Sequence, residues 1–315
     1  MKHFGNFVAL LILAVNALFT GLLLLVAYSP YIQPTSHPVQ SCFGLAFPVF
    51  ALINGGFLIF WLVIQRYKTA LLPLVGFLLC YSQLRTYLPL NFHTSNLPEK
   101  SIKFLSYNIM GFDGANKRNG KNPILTYLKE SNADILCLQE YASDESHRHL
   151  TQKDIERELK DYPYHRINVV GSGGSGYSNK IACYSKFPIL SARVLNYTSN
   201  YNGSVLYELK LDEDTITLIN NHLESNKLTK TDKDIYEDML KAPEKEKVKS
   251  GARLLVRKLA EASAIRAPQA DTIAKEIASS RHPSIIVCGD FNDTPISYTH
   301  RVIAQNLNDA FTQSG

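Results

Sequence analysis

The chain has 315 residues, of which 45% are hydrophobic, 10% aromatic and 19% charged, and its formal net charge is +5. This composition can fill a sizeable core and excludes a disordered chain. Residues 1–98 contain four basic and no acidic side chains, whereas the remainder carries 29 basic and 28 acidic ones. That near-neutral remainder excludes the strong basic field that drives non-specific nucleic-acid binding, and the layout indicates a membrane anchor followed by a soluble domain.

The anchor region contains three apolar runs. The stretches Phe7 to Tyr28 and Phe43 to Ile64 are each 22 uncharged residues long, and a helix of about 20 residues crosses a bilayer core. A third uncharged stretch, Thr69 to Leu84, has 16 residues and contains Pro73. It spans the bilayer only if Arg85 snorkels and the helix continues toward residue 90.

The positions of Lys and Arg predict the orientation of these spans. Lys2 precedes the first run, and Arg66 and Lys68 separate the second from the third, whereas Ser29–Cys42 contains neither Lys nor Arg. Basic loops face the cytoplasm, so three crossings of a cell or inner membrane place the soluble domain outside the cytoplasm. If the third run is only a buried or interfacial helix, the domain lies in the cytoplasm instead. A cleaved signal peptide is the alternative for the first run, although that run lacks a small-residue cleavage site.

We predict an anchor at 1–91, with spans near 7–28, 43–64 and 69–88, a linker at 92–100 and a catalytic domain at 101–315.

Short strands alternate with helices after residue 98, as in an α/β domain. A helix is predicted to begin at Asn122-Pro123, another near Gln152–Lys160, and a loop at Gly171–Gly176. Residues 248–262 carry one apolar stripe, which predicts an amphipathic helix that breaks at Pro268. The five cysteines lack metal-ligand spacing and are interpreted as small buried hydrophobes. The predicted strands are Ile102–Ile109, Ile135–Leu138, Ile181–Tyr184, Val205–Leu209, Thr215–Asn220 and Ser284–Val287.

Polar side chains recur where predicted strands end. Asn108 closes the first strand, Glu140 follows the second and His222 the fifth. Asp290 and Asn292 follow the last. A single polar residue at a strand end is usually only a turn residue, but four successive endings of this kind can converge on one cleft.

Five sequence blocks resemble the endonuclease/exonuclease/phosphatase superfamily. The resemblance covers roughly residues 100–315, and the superfamily includes pancreatic-type deoxyribonucleases, abasic-site endonucleases, inositol polyphosphate 5-phosphatases and neutral sphingomyelinases. Gly-Asp-Phe-Asn is the sharpest block, and the presence of all five in order strengthens the resemblance. The blocks are Ser106-Tyr107-Asn108-Ile109, Leu138-Gln139-Glu140, Ile181 to Ile189, Asn221-His222-Leu223 and Gly289 to Pro295.

The resemblance implies a four-layer α/β/β/α sandwich that carries a Mg²⁺-dependent phosphoesterase, with Mn²⁺ as a possible substitute. Glu140 is then a metal ligand with Asn108 beside it, which suits a hard cation that takes oxygen ligands. Asp290 would orient and deprotonate the attacking water. Asn108 and Asn292 would donate to phosphate oxygens or to the water, and His222 would donate to the phosphoryl oxygen as charge builds up.

Other polar residues are expected to have lesser roles. Gln139 is interpreted as structural, and Glu224 as a residue at the rim of the site. Asp293, Thr294 and Ser297 are interpreted as supporting turn residues. No role is assigned to His147, His149, His165, His282 and His300.

The chain departs from the superfamily pattern at its end. Members carry a further Asp-His pair, which no block after Asp309-Ala310-Phe311 supplies before Gly315. We therefore expect the 315-residue chain to be truncated and nearly inactive, with an unpaired sheet edge beside the site.

The sequence predicts a membrane-anchored hydrolase of phosphate esters, with a phosphodiester favoured over a phosphomonoester. One alternative is a catalytically incomplete relative that binds phosphorylated ligands or partners at the membrane. Another is a structural membrane protein with a degenerate domain. The expected partners are a phosphate-ester substrate and the lipid bilayer, without strong evidence for nucleic acid.

Overall fold

The computed structural model describes residues 2–91, 98, 101–114, 121–143, 150–171, 179–226, 228–229, 231–232, 234, 237, 241 and 245–314. The linker predicted at 92–100, apart from residue 98, the loop predicted at 172–176, and His147 and His149 lie outside these residues. The chain forms two compact units. The first contains Met1–His93, Asn226–Ala270 and Asp293–Gly315, and the second contains Thr94–Ser225 and Asp271–Asn292.

The secondary structure alternates between helices and strands after an all-helical start. The helices are α1 (Lys2–Ala27), α2 (Pro38–Ser41), α3 (Phe47–Val63), α4 (Tyr67–Leu79), α5 (Tyr81–Tyr87), α6 (Met110–Gly114), α7 (Pro123–Glu130), α8 (Gln152–Glu158), α9 (Lys245–Ala278), α10 (Tyr298–Ala304) and α11 (Ala310–Ser314). The strands are β1 (Phe104–Asn108), β2 (Ile135–Tyr141), β3 (Tyr164–Val170), β4 (Asn179–Ser185), β5 (Ile189–Val194), β6 (Gly203–Leu211), β7 (Asp214–His222) and β8 (Ile285–Asp290).

Two helical segments of the first unit, Phe4–Ala27 and Pro38–Val63, have the length and composition to cross a membrane. They contain 24 and 26 residues and coincide with the first two predicted spans. Length and composition fit a membrane anchor, and near the N-terminus they also fit a signal sequence.

The third predicted span, residues 69–88, is wrong as a single helix. α4 has 13 residues and ends at Leu79, and the shorter α5 begins at Tyr81. Cys80 leaves the helical conformation, with φ −109° and ψ 24°. The Leu79 carbonyl, which would continue the helical ladder, instead accepts a hydrogen bond of 2.8 Å from the hydroxyl of Tyr28. A contact from the end of α1 therefore satisfies the carbonyl at which α4 stops.

A buried polar network joins α1 to α3. Asn16 donates to Thr20, and Thr20 donates a hydrogen bond of 2.8 Å to Asn54 Oδ1. Trp61 Nε1 donates to Asn16 Oδ1 at 3.0 Å. In an apolar environment such bonds hold helices together because the alternative is an unsatisfied polar group. Gly76 lets α4 approach α1, since a Cβ at this position would lie 2.7 Å from a methyl group of Thr20.

The long helix α9 corrects the prediction of a break at Pro268. It runs for 34 residues with Pro268 inside it. Proline cannot donate to the carbonyl of the preceding turn, but buried residues flank it on both sides, among them Ala260, Ala267 and Ala270. Packing along this face offsets the missing helical hydrogen bond.

Two four-stranded sheets form the second unit, in the orders β1-β2-β4-β3 and β5-β6-β7-β8. The six predicted strands are present, whereas β3 and β5 were not predicted. Both of these are edge strands with mainly exposed or half-buried residues, so neither shows the continuous apolar run of a central strand. Within each sheet one pair is parallel, β1 with β2 and β7 with β8, and the other pairs are antiparallel.

Two apolar clusters stabilise the second unit. One cluster combines side chains of both sheets, including Cys137 and Cys183 from one and Tyr207 and Leu218 from the other. The other cluster joins the first sheet to α7 and α8 through residues such as Leu128. All five cysteines are free thiols. The chain thus has a mixed α/β fold with two sheets, and the four-layer arrangement stays a prediction.

Candidate active site

The parallel strand pairs bring the polar strand endings together. Asn108, the last residue of β1, is in register with Gln139 of β2. His222, the last residue of β7, is in register with Asp290 at the end of β8. Because parallel strands end at the same edge of their sheet, each pair presents its polar residues side by side.

Asn108 links carboxylates from the two sheets. Its Nδ2 donates hydrogen bonds to Glu140 Oε1 at 2.8 Å and to Asp290 Oδ2 at 3.0 Å. Its Oδ1 accepts from the backbone N–H of Met110 at 3.2 Å. Both amide hydrogens are thus directed at carboxylates, and these bonds offset the repulsion between the two acids.

A bulge in β2 directs Glu140 toward this cluster. The pairing of β2 with β4 shifts register between Leu138 and Tyr141, and Glu140 adopts a left-handed backbone with φ +50°. This conformation costs a non-glycine residue about 1–2 kcal/mol. The strained residue is the one expected from the sequence to bind the metal ion, and backbone strain in folded proteins often lies at functional sites.

His222 is buried beside the acids. Its side chain is 5% exposed, and its Nε2 lies 3.6 Å from Glu140 Oε1. Burial lowers the pKa of His222 below its usual value of 6.5, and the charges of Glu140, Asp290 and Glu224 only partly oppose this effect. The imidazole is therefore mainly neutral near neutral pH. Its Nδ1 is buried and has no hydrogen-bond partner within the described part of the chain.

The Gly-Asp-Phe-Asn block, residues 289–292, covers the last two residues of β8 and the first two residues after it. Gly289 has φ +131°, and a Cβ there would lie 2.0 Å from the Asn221 carbonyl oxygen, so the position requires glycine. The backbone N–H of Asn292 donates to Asp290 Oδ1 at 3.0 Å. Its side-chain Nδ2 donates to the Leu223 carbonyl at 3.0 Å. The backbone N–H of Asn292 thus orients Asp290, whereas its side-chain amide binds the Leu223 carbonyl.

The structure places the remaining candidates around this cluster. Gln139 is buried, and its Nε2 donates to Asn220 Oδ1 at 2.6 Å and to Ser106 Oγ at 3.2 Å, in keeping with a structural part. The prediction that Glu224 lies at the rim is wrong, because Glu224 is buried and accepts a hydrogen bond of 2.9 Å from Ser199. No motif marks Ser199, which lies in the loop between β5 and β6.

The donor set fits a hard divalent cation. Carboxylate oxygens from Glu140 and Asp290 share one amide donor, and the amide oxygen of Asn108 lies on the same side chain. Among the described residues no group of three or more His, Cys, Asp or Glu side chains is arranged to hold an ion. Mg²⁺ usually takes one or two protein carboxylates and fills its remaining positions with water and phosphate, so the carboxylate of Glu140 suffices.

A family model described as the Endonuclease/Exonuclease/phosphatase family matches residues 105–314. This match covers two thirds of the chain, which therefore belongs to that family. A second model, described as a domain of unknown function, matches residues 9–87. No curated protein matches the chain.

Several solved structures match part of the chain at low sequence identity. A humanized D. rerio TDP2 is 15% identical, with a TM-score of 0.39, over 66% of this chain and 68% of that one. The beta toxin of Staphylococcus aureus is 17% identical, with a TM-score of 0.42, over 66% of this chain and 73% of that one. SmcL is 18% identical, with a TM-score of 0.41, over 66% and 69% of the two chains. The family assignment rests on the family model.

Proposed function

We propose that this chain is a membrane-anchored, divalent-metal-dependent phosphoesterase that hydrolyses a phosphodiester by attack of water. The observation that carries the proposal is the pair of hydrogen bonds from Asn108 Nδ2 to Glu140 and Asp290, at 2.8 and 3.0 Å. Membership of the Endonuclease/Exonuclease/phosphatase family supports the reaction class. The metal, the substrate and the anchoring are parts of the proposal.

Glu140 and Asn108 would hold the ion, and Mg²⁺ is the cation that their oxygens fit best. Mn²⁺ has similar preferences. When bound, the ion supplies positive charge that stabilises the developing charge on the phosphoryl oxygens.

Asp290 is proposed as the general base. Its Oδ1 accepts from the Asn292 N–H, which fixes the carboxylate and leaves Oδ2 directed at Asn108. Proton removal from water requires an oriented base within hydrogen-bond reach. Neutral His222, buried next to Glu140, would donate one N–H to the phosphoryl oxygen.

Contacts inside the first unit support a domain on the far side of the membrane from the N-terminus. Arg66, just before α4, donates to Asn6 near the start of α1, and the Leu79 carbonyl at the end of α4 accepts from Tyr28 at the end of α1. α4 therefore runs in the same direction as α1, and α4 followed by α5 would complete a third crossing. Reporter fusions after Arg66 and after Asn96 test this topology. We expect a cytoplasmic signal from the first and an extracytoplasmic signal from the second, and two cytoplasmic signals would overturn it.

The substrate class is proposed from charge and location. The near-neutral charge beyond residue 98 is unfavourable for long nucleic acids. A membrane-anchored site favours a phosphodiester near the bilayer, such as a lipid head group or a nucleotide. Bis(p-nitrophenyl) phosphate and p-nitrophenyl phosphate are matched diester and monoester probes.

The test is hydrolysis of both probes by the full chain in detergent, with Mg²⁺, with Mn²⁺ and with a chelator. We expect slow, metal-dependent release of p-nitrophenol, faster from the diester than from the monoester, in keeping with the low activity expected from the sequence. The exposed variant Glu130→Gln is the control that should leave the rate unchanged. Binding of a phosphate ester without turnover would favour the alternative of a catalytically incomplete relative, and neither binding nor turnover would favour a structural protein.

A further inference from the structure

The first unit contains an interface between two segments that lie far apart in the chain. One segment, here called the connector, is residues 28–46, which join α1 to α3. The other, here called the exit segment, is residues 293–301, which directly follow Asn292 of the Gly-Asp-Phe-Asn block. Both segments belong to the same compact unit.

Arg301 of the exit segment contacts the connector through a hydrogen bond and a cation–π contact. Its Nε donates a hydrogen bond of 2.9 Å to the carbonyl oxygen of Pro30. Its guanidinium carbon lies 4.8 Å from the ring centroid of Tyr31 in the connector. The same carbon lies 5.2 Å from the ring of Tyr298, within the exit segment itself. Cation–π contacts of this kind attract the guanidinium to both rings.

Gly44 of the connector lies directly against the backbone of the exit segment. A Cβ at Gly44 would lie 2.0 Å from the carbonyl oxygen of Ile296, so any side chain there would push the two backbones apart. The Ile296 side chain is 2% exposed and packs with Leu23, Val26 and Phe47 at the ends of α1 and α3. Burial of this apolar side chain stabilises the contact. The exit segment is therefore anchored in the apolar helices themselves.

A second chain of contacts reaches the start of the exit segment. Ser41 of the connector lies 3.2 Å, oxygen to oxygen, from Ser263 of α9. One turn further along α9, the buried Arg266 donates through Nε to Asp293 Oδ2 at 3.2 Å. The Arg266 side chain is 3% exposed, so this ion pair is shielded from solvent, and breaking it would leave a buried charge. Asp293 is the residue next to Asn292.

We propose that the connector is a positioning element for the catalytic loop. The connector contacts the exit segment directly at Ile296 and Arg301. It also contacts α9, whose Arg266 binds Asp293. Together these contacts restrain the residues that follow Asn292 in the chain and, through them, Asp290. The helical segment would then contribute to the order of the catalytic loop in addition to anchoring the chain in the membrane. This inference rests on the proposed function, because it gives the connector a part in that reaction. Gly44 and Arg301 are positioning residues, since neither has to touch the substrate.

Hydrogen exchange tests the positioning without any need for hydrolysis. The full chain in detergent is compared with Gly44→Ala and Arg301→Gln, and amide exchange is measured for a peptide that covers residues 289–296. We expect this peptide to exchange at least about tenfold faster in both variants, since loss of about 1.4 kcal/mol of holding energy gives that factor. Peptides from β6 should keep the wild-type rate, which separates loss of positioning from loss of folding.

Two matched variants serve as controls. Gly55→Ala adds the same methyl group to α3 at a position with no heavy atom within 4 Å. Arg257→Gln removes an exposed guanidinium from α9. Both should leave exchange at residues 289–296 and the hydrolysis rate at wild-type values. Unchanged exchange at residues 289–296 in both Gly44→Ala and Arg301→Gln would overturn the inference.

Hydrolysis then distinguishes this inference from the proposed function. If the wild type hydrolyses the diester, the two test variants should lower kcat by about 10²-fold, the cost of a misplaced reacting group. Arg301→Lys should recover part of the rate, because it keeps the charge near Tyr31. Wild-type kcat in both test variants would overturn the positioning role. A wild type without turnover would contradict the proposed function, and the exchange experiment would still decide whether the connector orders the loop.

A cross-link covers the case in which the substitutions prevent folding. In a Cys42→Ala background, Ser41→Cys with Ser263→Cys should form a disulfide, because the two hydroxyl oxygens lie 3.2 Å apart. The folded protein is oxidised first and then denatured, and its free thiols are counted with a maleimide. The disulfide leaves two fewer reactive thiols than in the reduced protein. We expect the oxidised protein to keep slow exchange at residues 289–296. Absence of the disulfide would overturn the docking of the connector, whatever the activity.

Discussion

Asn108 Nδ2 lies 2.8 Å from Glu140 Oε1 and donates a hydrogen bond to it. The two residues come from neighbouring parallel strands, and a bulge in β2 directs the acid toward the amide. The same nitrogen also donates to Asp290 at 3.0 Å. Asn108 thus places a neutral amide donor between two carboxyl groups, and a negative charge at this position would repel both of them.

Replacing Asn108 with Asp should destabilise the metal-free protein and make its stability depend on Mg²⁺. A third carboxylate would replace two donated hydrogen bonds by repulsion, at a cost of about 1–3 kcal/mol, since each pKa unit is worth about 1.4 kcal/mol. Thermal unfolding with and without Mg²⁺ measures this. The same change at exposed Asn196 is the control. If Mg²⁺ raises the unfolding temperature of the wild type and of Asn108→Asp equally, Asn108 does not belong to the cation site.

Replacing Glu140 separates backbone strain from function. Both Glu140→Ala and Glu140→Gly remove the carboxylate and should abolish metal-dependent turnover. The glycine variant should be the more stable by about 1 kcal/mol, because only glycine adopts φ near +50° without steric cost. Denaturant unfolding of both variants measures the difference. An alanine variant as stable as the glycine variant would show that the position is unstrained.

Gln139 and Asn220 should behave as one buried unit. Gln139→Ala leaves Asn220 Oδ1 without the donor that lies 2.6 Å from it, at a cost of about 1–3 kcal/mol. The double variant Gln139→Ala/Asn220→Ala should lose less than the sum of the single losses, since it removes both partners. Gln305→Ala, on the surface, is the control. Additive losses would mean that the two side chains do not interact.

Sequence patterns predicted the strands that run into the site, because each joins a continuous apolar run to a polar ending. Asn108 and His222 could be located in this way, and the parallel pairing explains why they meet their neighbours. The edge strands β3 and β5 carry no such run and escaped prediction. The break expected at Pro268 did not occur, because packing outside the local sequence holds α9 together. The burial of Glu224 depends on Ser199, and no local pattern connects these two residues.

The stability of the metal-free protein should fall as the pH is lowered through the range below 6.5, in part because of His222. Burial lowers the pKa of His222 in the folded protein, whereas the unfolded chain keeps a value near 6.5. Between the two values the unfolded chain binds more protons, so stability falls with falling pH until the folded-state pKa is reached. His222→Gln should flatten this part of the profile, because it removes the group whose pKa differs between the folded and unfolded chain. Equal slopes in the wild type and His222→Gln would contradict this assignment.

The most direct test is the Mg²⁺ dependence of diester hydrolysis in the wild type, Glu140→Gln and Asp290→Asn, with Asp214→Asn as an exposed control. Glu140→Gln should require at least about tenfold more Mg²⁺ for half-maximal rate, because an amide keeps the size of the ligand but loses its charge. Asp290→Asn should lower kcat by about 10²–10⁴-fold with a smaller change in Mg²⁺ affinity, since a general base contributes that factor. Wild-type Mg²⁺ dependence and wild-type kcat in both variants would contradict a metal-dependent phosphoesterase at this site.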